Sequence, residues 1–147
     1  MRVSTRFSDS IHTLAYIEIC RGKVPLTSEN IAESIETSPV VVRRLMSKLR
    51  AAKIITTVHG TADPKLTREP SKITLYDIYL AVEGDQPLFN VDKKTNPECI
   101  VGGNIQPVLT EFYHAADVAA KGRLNQFTLQ DVLDSIGVRL AKNAQGI

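Results

Sequence analysis

Arg43, Arg44, Lys48, Arg50 and Lys53 put five basic residues and no acidic ones between Ser38 and Lys53. A guanidinium donates in a planar fork that matches phosphate oxygens and the acceptor edge of guanine, while an ammonium neutralises phosphate as a point charge. The chemistry open to this stretch is therefore the holding of a polyanion, duplex DNA above all. A solvated amphipathic helix carries a similar charge run, so spacing must decide. Val42, Leu45, Met46 and Leu49 recur at helical intervals and form a core-facing stripe, leaving Val40, Arg43, Arg44, Ser47, Lys48 and Arg50 on the other side. Pro39 suits the first helical position, where a missing N–H costs nothing, which makes Ser38 the N-cap. Upstream, Thr27 or Ser28 opens a shorter helix that buries Ile31, Ala32 and Ile35, and Glu36, Thr37 and Ser38 make the turn. Two short helices joined by a tight turn, the second one basic, form the pattern of a helix-turn-helix whose second helix enters a major groove.

Other chemistries lack their groups. His12, His59 and His114 stand at no ligand spacing from one another, from a cysteine or from a carboxylate, so no metal site is expected. There is no nucleophile elbow, phosphate loop or recognisable carboxylate pair, so the chain does not read as an enzyme. Asp77, Glu83 and Asp131 read as helix-end or surface charges. Tyr76, Tyr79, Phe89 and Phe112 read as packing residues of the core or of a dimer interface, and a ligand pocket near Phe89 has no support in the sequence. The two cysteines, Cys20 and Cys99, read as reduced thiols, since a chain with a real core needs no disulfide. Cys20 falls within an apolar helix. Cys99 precedes a helix N-terminus, where a dipole lowers a thiol's pKa, so it is the candidate redox thiol against a simpler packing role; no resolving cysteine lies near it.

The elements that must position the basic helix are legible on either side. Ser8 to Arg21 reads as a helix with Ile11, Leu14, Ala15, Ile17, Ile19 and Cys20 on an apolar surface, ended by Gly22 and Pro25. Ile54 to Val58 is a β-branched run, His59 to Pro64 is turn-prone, and Lys65 to Thr67 is a second short strand. A hairpin following a helix-turn-helix makes residues 1–72 a winged helix-turn-helix DNA-binding domain. Residues 73–137 form a linker helix, a sensor-type loop and a dimerisation helix. The first is Thr74 to Glu83, opened by a Thr74 and Asp77 capping box and closed by Gly84. Asp85 to Gly103 shows no periodicity, and loops this long are functional or mobile.

In Ile105 to Lys121, the residues Ile105, Val108, Leu109, Phe112, Ala116 and Ala119 form one stripe that Tyr113, Ala115, Val118 and Ala120 widen. One neighbour cannot bury so much apolar circumference, which points to packing on a twin in a homodimer. Thr128 to Ile136 is a last short helix ended by Gly137, and 138–147 reads as a disordered tail. The fold class expected is mainly α with a small β-hairpin wing: a winged helix-turn-helix domain plus a long C-terminal dimerisation helix.

Charge is divided unequally along the chain. Residues 1–72 hold 12 Lys or Arg against 7 Asp or Glu, whereas 73–147 hold 6 against 9. A polyanion at one end and a different partner at the other fit that division. The 43% hydrophobic content is that of an ordinary soluble globular protein. No apolar run suits a membrane span and the N-terminus lacks a signal-peptide core, so a cytoplasmic location is expected.

The segments SPVVVRRLMSKLRAAKII, ITLYDIYLAVEG and NPECIVGGNI, in that order, resemble the Rrf-type family of bacterial winged-helix regulators. Its members include the iron-sulfur cluster regulator, the nitric-oxide-sensing repressor and the cysteine-metabolism repressor. The resemblance implies a homodimeric transcription factor on a partly palindromic operator, and the leading reading is a repressor, although whether binding represses or activates depends on where the operator lies. Carried over residue by residue, the family's DNA-binding positions fall on Thr27, Ser28, Ser38, Pro39, Val40, Arg43, Arg44 and Lys48. Two departures stand out. The wing here reads HGTADPKL, without the glycine cluster and aromatic residue of many members, and leaves His59 and Lys65 as its contact candidates. The cluster-binding members carry three closely spaced cysteines where this chain has Cys99 alone, so no iron-sulfur cluster is expected. The effector is not readable. The atypical wing also motivates an alternative, a winged-helix protein-interaction module that has lost DNA binding.

Overall fold

The structure, a computed structural model, describes residues 4–58 and 60–145. Their elements in chain order are α1 (Arg6–Cys20), α2 (Ser28–Ile35), α3 (Pro39–Ala51), β1 (Ile55–Thr56), β2 (Lys65–Leu66), a 3-10 turn (Pro70–Lys72), α4 (Leu75–Glu83), α5 (Ile105–Leu124) and α6 (Leu129–Gln145). The expected class, helices with one small hairpin, is the class observed.

The local start signals operate as their chemistry requires. Thr27 Oγ1 accepts the Asn30 N–H and Ser38 Oγ accepts the Val41 N–H, each satisfying a first-turn donor that the helix itself leaves free. Pro39 is the first residue of α3. The turn between α2 and α3 bends at Glu36, which takes the left-handed conformation at φ 64°, and the Thr37 N–H closes back on the Ala32 carbonyl at 3.0 Å. After α3, Lys53 repeats that device at φ 60° and turns the chain into the wing. There β1 and β2 pair antiparallel, Ile55 opposite Leu66 and Thr56 opposite Lys65.

One core holds these pieces. Leu14 and Ile17 of α1, Ile31 of α2, Val42, Leu45 and Leu49 of α3, and Ile54 and Ile55 entering the wing are buried together with Ile73, Ile78, Val82 and Leu129. Each such side chain contributes about 1.5–3 kcal/mol by leaving water. This core crosses the boundary expected at Lys72, because α4 and the start of α6 supply part of it. Their N-termini lie side by side: the Leu75 N–H donates to the Phe127 carbonyl and the Leu129 N–H to the Ile73 carbonyl. Both carry the reciprocal Thr and Asp box, Thr74 with Asp77 and Thr128 with Asp131.

The last helix corrects the sequence reading. The expected stop at Gly137 and the expected disordered tail are both absent as far as Gln145, since α6 runs through the glycine. Glycine inside a helix costs about 1 kcal/mol relative to alanine but removes no hydrogen bond, and no proline follows to enforce an end.

Candidate nucleic-acid interface

The polar side of α3, the start of α2 and the wing enclose a groove of about 490 Å³ lined by Thr27, Ser28, Glu29, Arg43, Ser47, Arg50, Thr57, Gly60 and Thr61, among others. The groove exists because Val42, Leu45, Met46 and Leu49 turn the opposite side of α3 into the core, leaving Arg43, Ser47 and Arg50 at successive turns facing out. Arg50 ties helix to wing, its guanidinium donating to Thr57 Oγ1 at 3.3 Å and to Ser47 Oγ at 3.1 Å. A second strut comes from the residue after α1: Arg21 donates to Asp63 Oδ1 at 2.8 Å and to the Pro64 carbonyl, holding the base of the wing.

The candidate residues divide into three groups. Thr27, Ser28 and Arg43 share the groove, and Ser38, Val40 and Arg44 are polar or exposed neighbours on the outer surface of the motif, with Pro39 half-buried at the helix start. Arg43 reaches Glu29 Oε1 at 3.6 Å in an exposed pair, while Arg44 makes no ion pair or hydrogen bond among the described residues. Lys48 and Lys65 are diverted. The Lys48 ammonium donates to the Val82 carbonyl at 3.3 Å, at the last turn of α4, where a cation complements the helix dipole. Lys65 pairs with Asp63 at 3.5 Å and borders a separate depression with Glu18, Arg21 and Arg68. His59 lies outside the described residues. Ser47, Arg50, Thr57 and Thr61 join the groove without having been singled out as site residues; for Ser47 and Arg50 the signal was the i, i+4, i+7 spacing from Arg43, while the wing threonines carried none.

Beyond the motif, α5 stands away from the core, and none of its residues is buried. The Lys121 ammonium fastens it to the segment after α4, pairing with Asp117 at 2.9 Å and Asp85 at 3.2 Å and donating to the Gln86 carbonyl at 2.9 Å. These bonds raise the Lys121 pKa above the ordinary lysine value, the hydrogen bond to Asp117 foremost. Desolvation opposes ionisation of Asp117, but Lys121 and the Leu88 N–H outweigh it and hold the carboxyl below the usual carboxylate range. Cys99 is exposed in the loop before α5, and the N–H groups of Gly102 and Val101 lower its thiol pKa. That turn closes over glycine, because a Cβ at 102 would strike the Asn96 carbonyl. Cys20, at the end of α1, is half-buried against the core. No helix among the described residues is long and apolar enough to cross a membrane.

Comparison with known proteins agrees with this architecture. A family model described as "Iron-dependent Transcriptional regulator" (Rrf2) matches residues 3–135. YwnA of Bacillus subtilis (strain 168), named as an HTH-type transcriptional regulator, is 35% identical over 134 residues, covering 91% of this chain and 98% of YwnA. A crystal structure named as that of a DNA-binding protein is 35% identical with a TM-score of 0.71, over 87% of this chain and 98% of that one. CymR, the global cysteine regulator of B. subtilis, shares the fold at 23% identity and a TM-score of 0.67, over 91% of this chain and 97% of its own. The chain belongs to the Rrf2 family and is a DNA-binding, winged helix-turn-helix transcriptional regulator.

Proposed function

We propose that the protein acts as a homodimeric repressor on a partly palindromic operator, with Arg43 and Arg44 of α3 reading base edges in the major groove. Thr27, Ser28 and Ser38 hold phosphates at the two helix starts, and Val40 offers an apolar contact to a thymine methyl. Arg50 carries the backbone contact at the wing, and Lys48, engaged by α4, contributes less. The observation that carries the dimer is the unburied stripe of α5. Ile105, Val108, Leu109, Phe112, Ala116 and Ala119 recur on one face, and Phe112 is 67% exposed. A second copy of the stripe removes it from water, at about 25 cal/mol per Å². Paired that way, the protomers present two copies of α3, which reach successive major grooves if they stand roughly 34 Å apart. Where the operator overlaps a promoter, a dimer across two grooves represses by occupancy alone.

An iron-sulfur cluster does not fit these residues. Such clusters take mostly thiolate ligands, and the chain has only Cys20, half-buried on α1, and Cys99, exposed in the loop. We therefore propose regulation without a cluster.

The test is operator-fragment binding by fluorescence anisotropy across a salt series. Arg44→Ala weakens binding to the cognate site by about 1–3 kcal/mol and relaxes specificity at one base position. Wild-type affinity that ignored salt, or an Arg44→Ala protein binding as the parent does, would overturn the reading.

A further inference from the structure

A cleft of about 670 Å³ opens between segment 87–93 and one side of α5, away from the DNA-facing groove. Its volume is in the range of small-molecule sites, which run from about 300 to 1,000 Å³. One wall is aromatic. The rings of Phe89 and Tyr113 stand 5.6 Å apart at 42°, an open V rather than a closed stack. Two struts hold the segment off the helix: Gln106 Nε2 donates to the Asp92 carbonyl at 2.9 Å, and the Leu88 N–H donates to Asp117 Oδ1 at 3.1 Å.

The cleft also stays clear of the proposed dimer. At 3.6 residues per turn, Gln106, Thr110, Tyr113 and Asp117 each follow a residue of the stripe Ile105, Leu109, Phe112 and Ala116 by one position and so centre about 100° around α5 from it. A second protomer seated on the stripe leaves this side open.

The charges select the occupant. Two carboxylates line the cleft: Asp117 is paired with Lys121 and accepts the Leu88 N–H, and Asp92 Oδ1 accepts the main-chain N–H of Lys94 at 2.9 Å, with the neighbouring Lys93 ammonium to offset its charge. The groups without a hydrogen bond among the described residues are the Lys93 ammonium, the His114 ring, the Tyr113 hydroxyl and the Asn90 amide, and each of them can donate. Free donors, one of them cationic, beside an open aromatic wall complement a flat anion.

We propose that this cleft binds a small aromatic carboxylic acid, its ring seated against Phe89 and Tyr113 and its carboxylate met by the free donors, Lys93 foremost. Binding here requires neither DNA nor the dimer, so it is measured on the full chain alone. Isothermal titration uses salicylate, phenylacetate and indole-3-acetate, each beside its neutral amide. At least one acid is expected to bind saturably, one per chain, with a dissociation constant below about 1 mM, and its amide at least tenfold more weakly. Phe89→Ala and Lys93→Ala, both in the exposed segment, each weaken that acid tenfold or more, while Arg43→Ala leaves it unchanged. The proposal is overturned if no acid of the panel saturates, if amide and acid bind alike, or if binding survives both cleft substitutions.

Discussion

Two amphipathic helices of this chain end in opposite surroundings. The 13 residues of α3 bury Val42, Leu45, Met46 and Leu49, whereas the 20 residues of α5 bury none. Both sequences carry an apolar stripe at helical spacing, so periodicity alone does not distinguish a face covered by its own chain from one left for another molecule. What differs is supply. Around α3 stand α1, α2, α4 and the wing, while α5 meets chiefly α4 and the segment that Lys121 fastens to it. The orientation of the recognition helix is thus fixed within one protomer. In the proposed dimer, the distance between two such helices would be set by α5.

The strongest test of that contrast sets one substitution in both helices. Leu49→Ala removes a side chain with 0% exposure and should lower stability by about 2–5 kcal/mol, as cavities in packed cores do. Leu109→Ala makes the same chemical change on α5, and in dilute monomeric protein it should cost under about 1 kcal/mol. Urea denaturation followed by circular dichroism measures both. Equal losses would mean that α5 is packed in its own chain after all.

Next in size is Phe112→Asp, which places a charge in the middle of the exposed stripe. Loss of an aromatic anchor and burial of a carboxylate should weaken self-association by about 2 kcal/mol or more, at least roughly 30-fold. Sedimentation velocity should show a shift to monomer with the helical signal unchanged. Operator affinity should fall with it, because each protomer then pays its own cost of association.

How much of this could be read beforehand follows the range of the interactions. Ser38 with Pro39, Thr27, and the Thr74 and Asp77 box were legible because a cap and its donor lie within one turn. The stripe of α3 was legible because its period is local. The bond from Lys48 to the Val82 carbonyl was not legible, since that carbonyl belongs to a helix distant in sequence. Arg50 became a link to the wing only when the turn at Lys53 brought Thr57 beside it. The pairing of Lys65 with Asp63, and the cleft at Phe89, depend on how a loop folds, which composition does not encode.

A smaller effect probes the junction between the two regions. Asp117 and Lys121 are both partly buried and pin segment 85–88 to α5. That segment follows directly from α4, whose last turn holds Lys48 of the recognition helix. Asp117 has a depressed native pKa, so its contribution is complete above the unfolded carboxylate value of about 4 and is lost as pH falls through the native value. Lys121 has a raised one, so its contribution is complete below the unfolded value of about 10.4 and is lost as pH rises through the native value. Asp117→Asn should therefore cost about 1 kcal/mol between roughly pH 4 and 10 and converge with the parent in stronger acid. Thermal melts at pH 7 and in acid check the pattern, and a difference that persisted in acid would assign the loss to packing rather than charge.

The smallest expected change sits where the two kinds of surrounding meet inside one helix. α6 begins with Leu129 at 0% exposure in the core, and its outer half carries Val138 and Leu140 exposed at 55% and 59%. Gly137 lies between, and a Cβ placed there meets nothing within 4 Å. If the outer half of α6 is held by helix propensity alone, Gly137→Ala should stabilise the protein by about 0.5–1 kcal/mol through the restricted unfolded chain. If instead a second protomer packs closely on that half, the added methyl group must displace it, and the dimer should weaken while the dilute monomer gains. Melting the variant across protein concentrations separates the two, because only the second outcome makes the sign of the change depend on concentration.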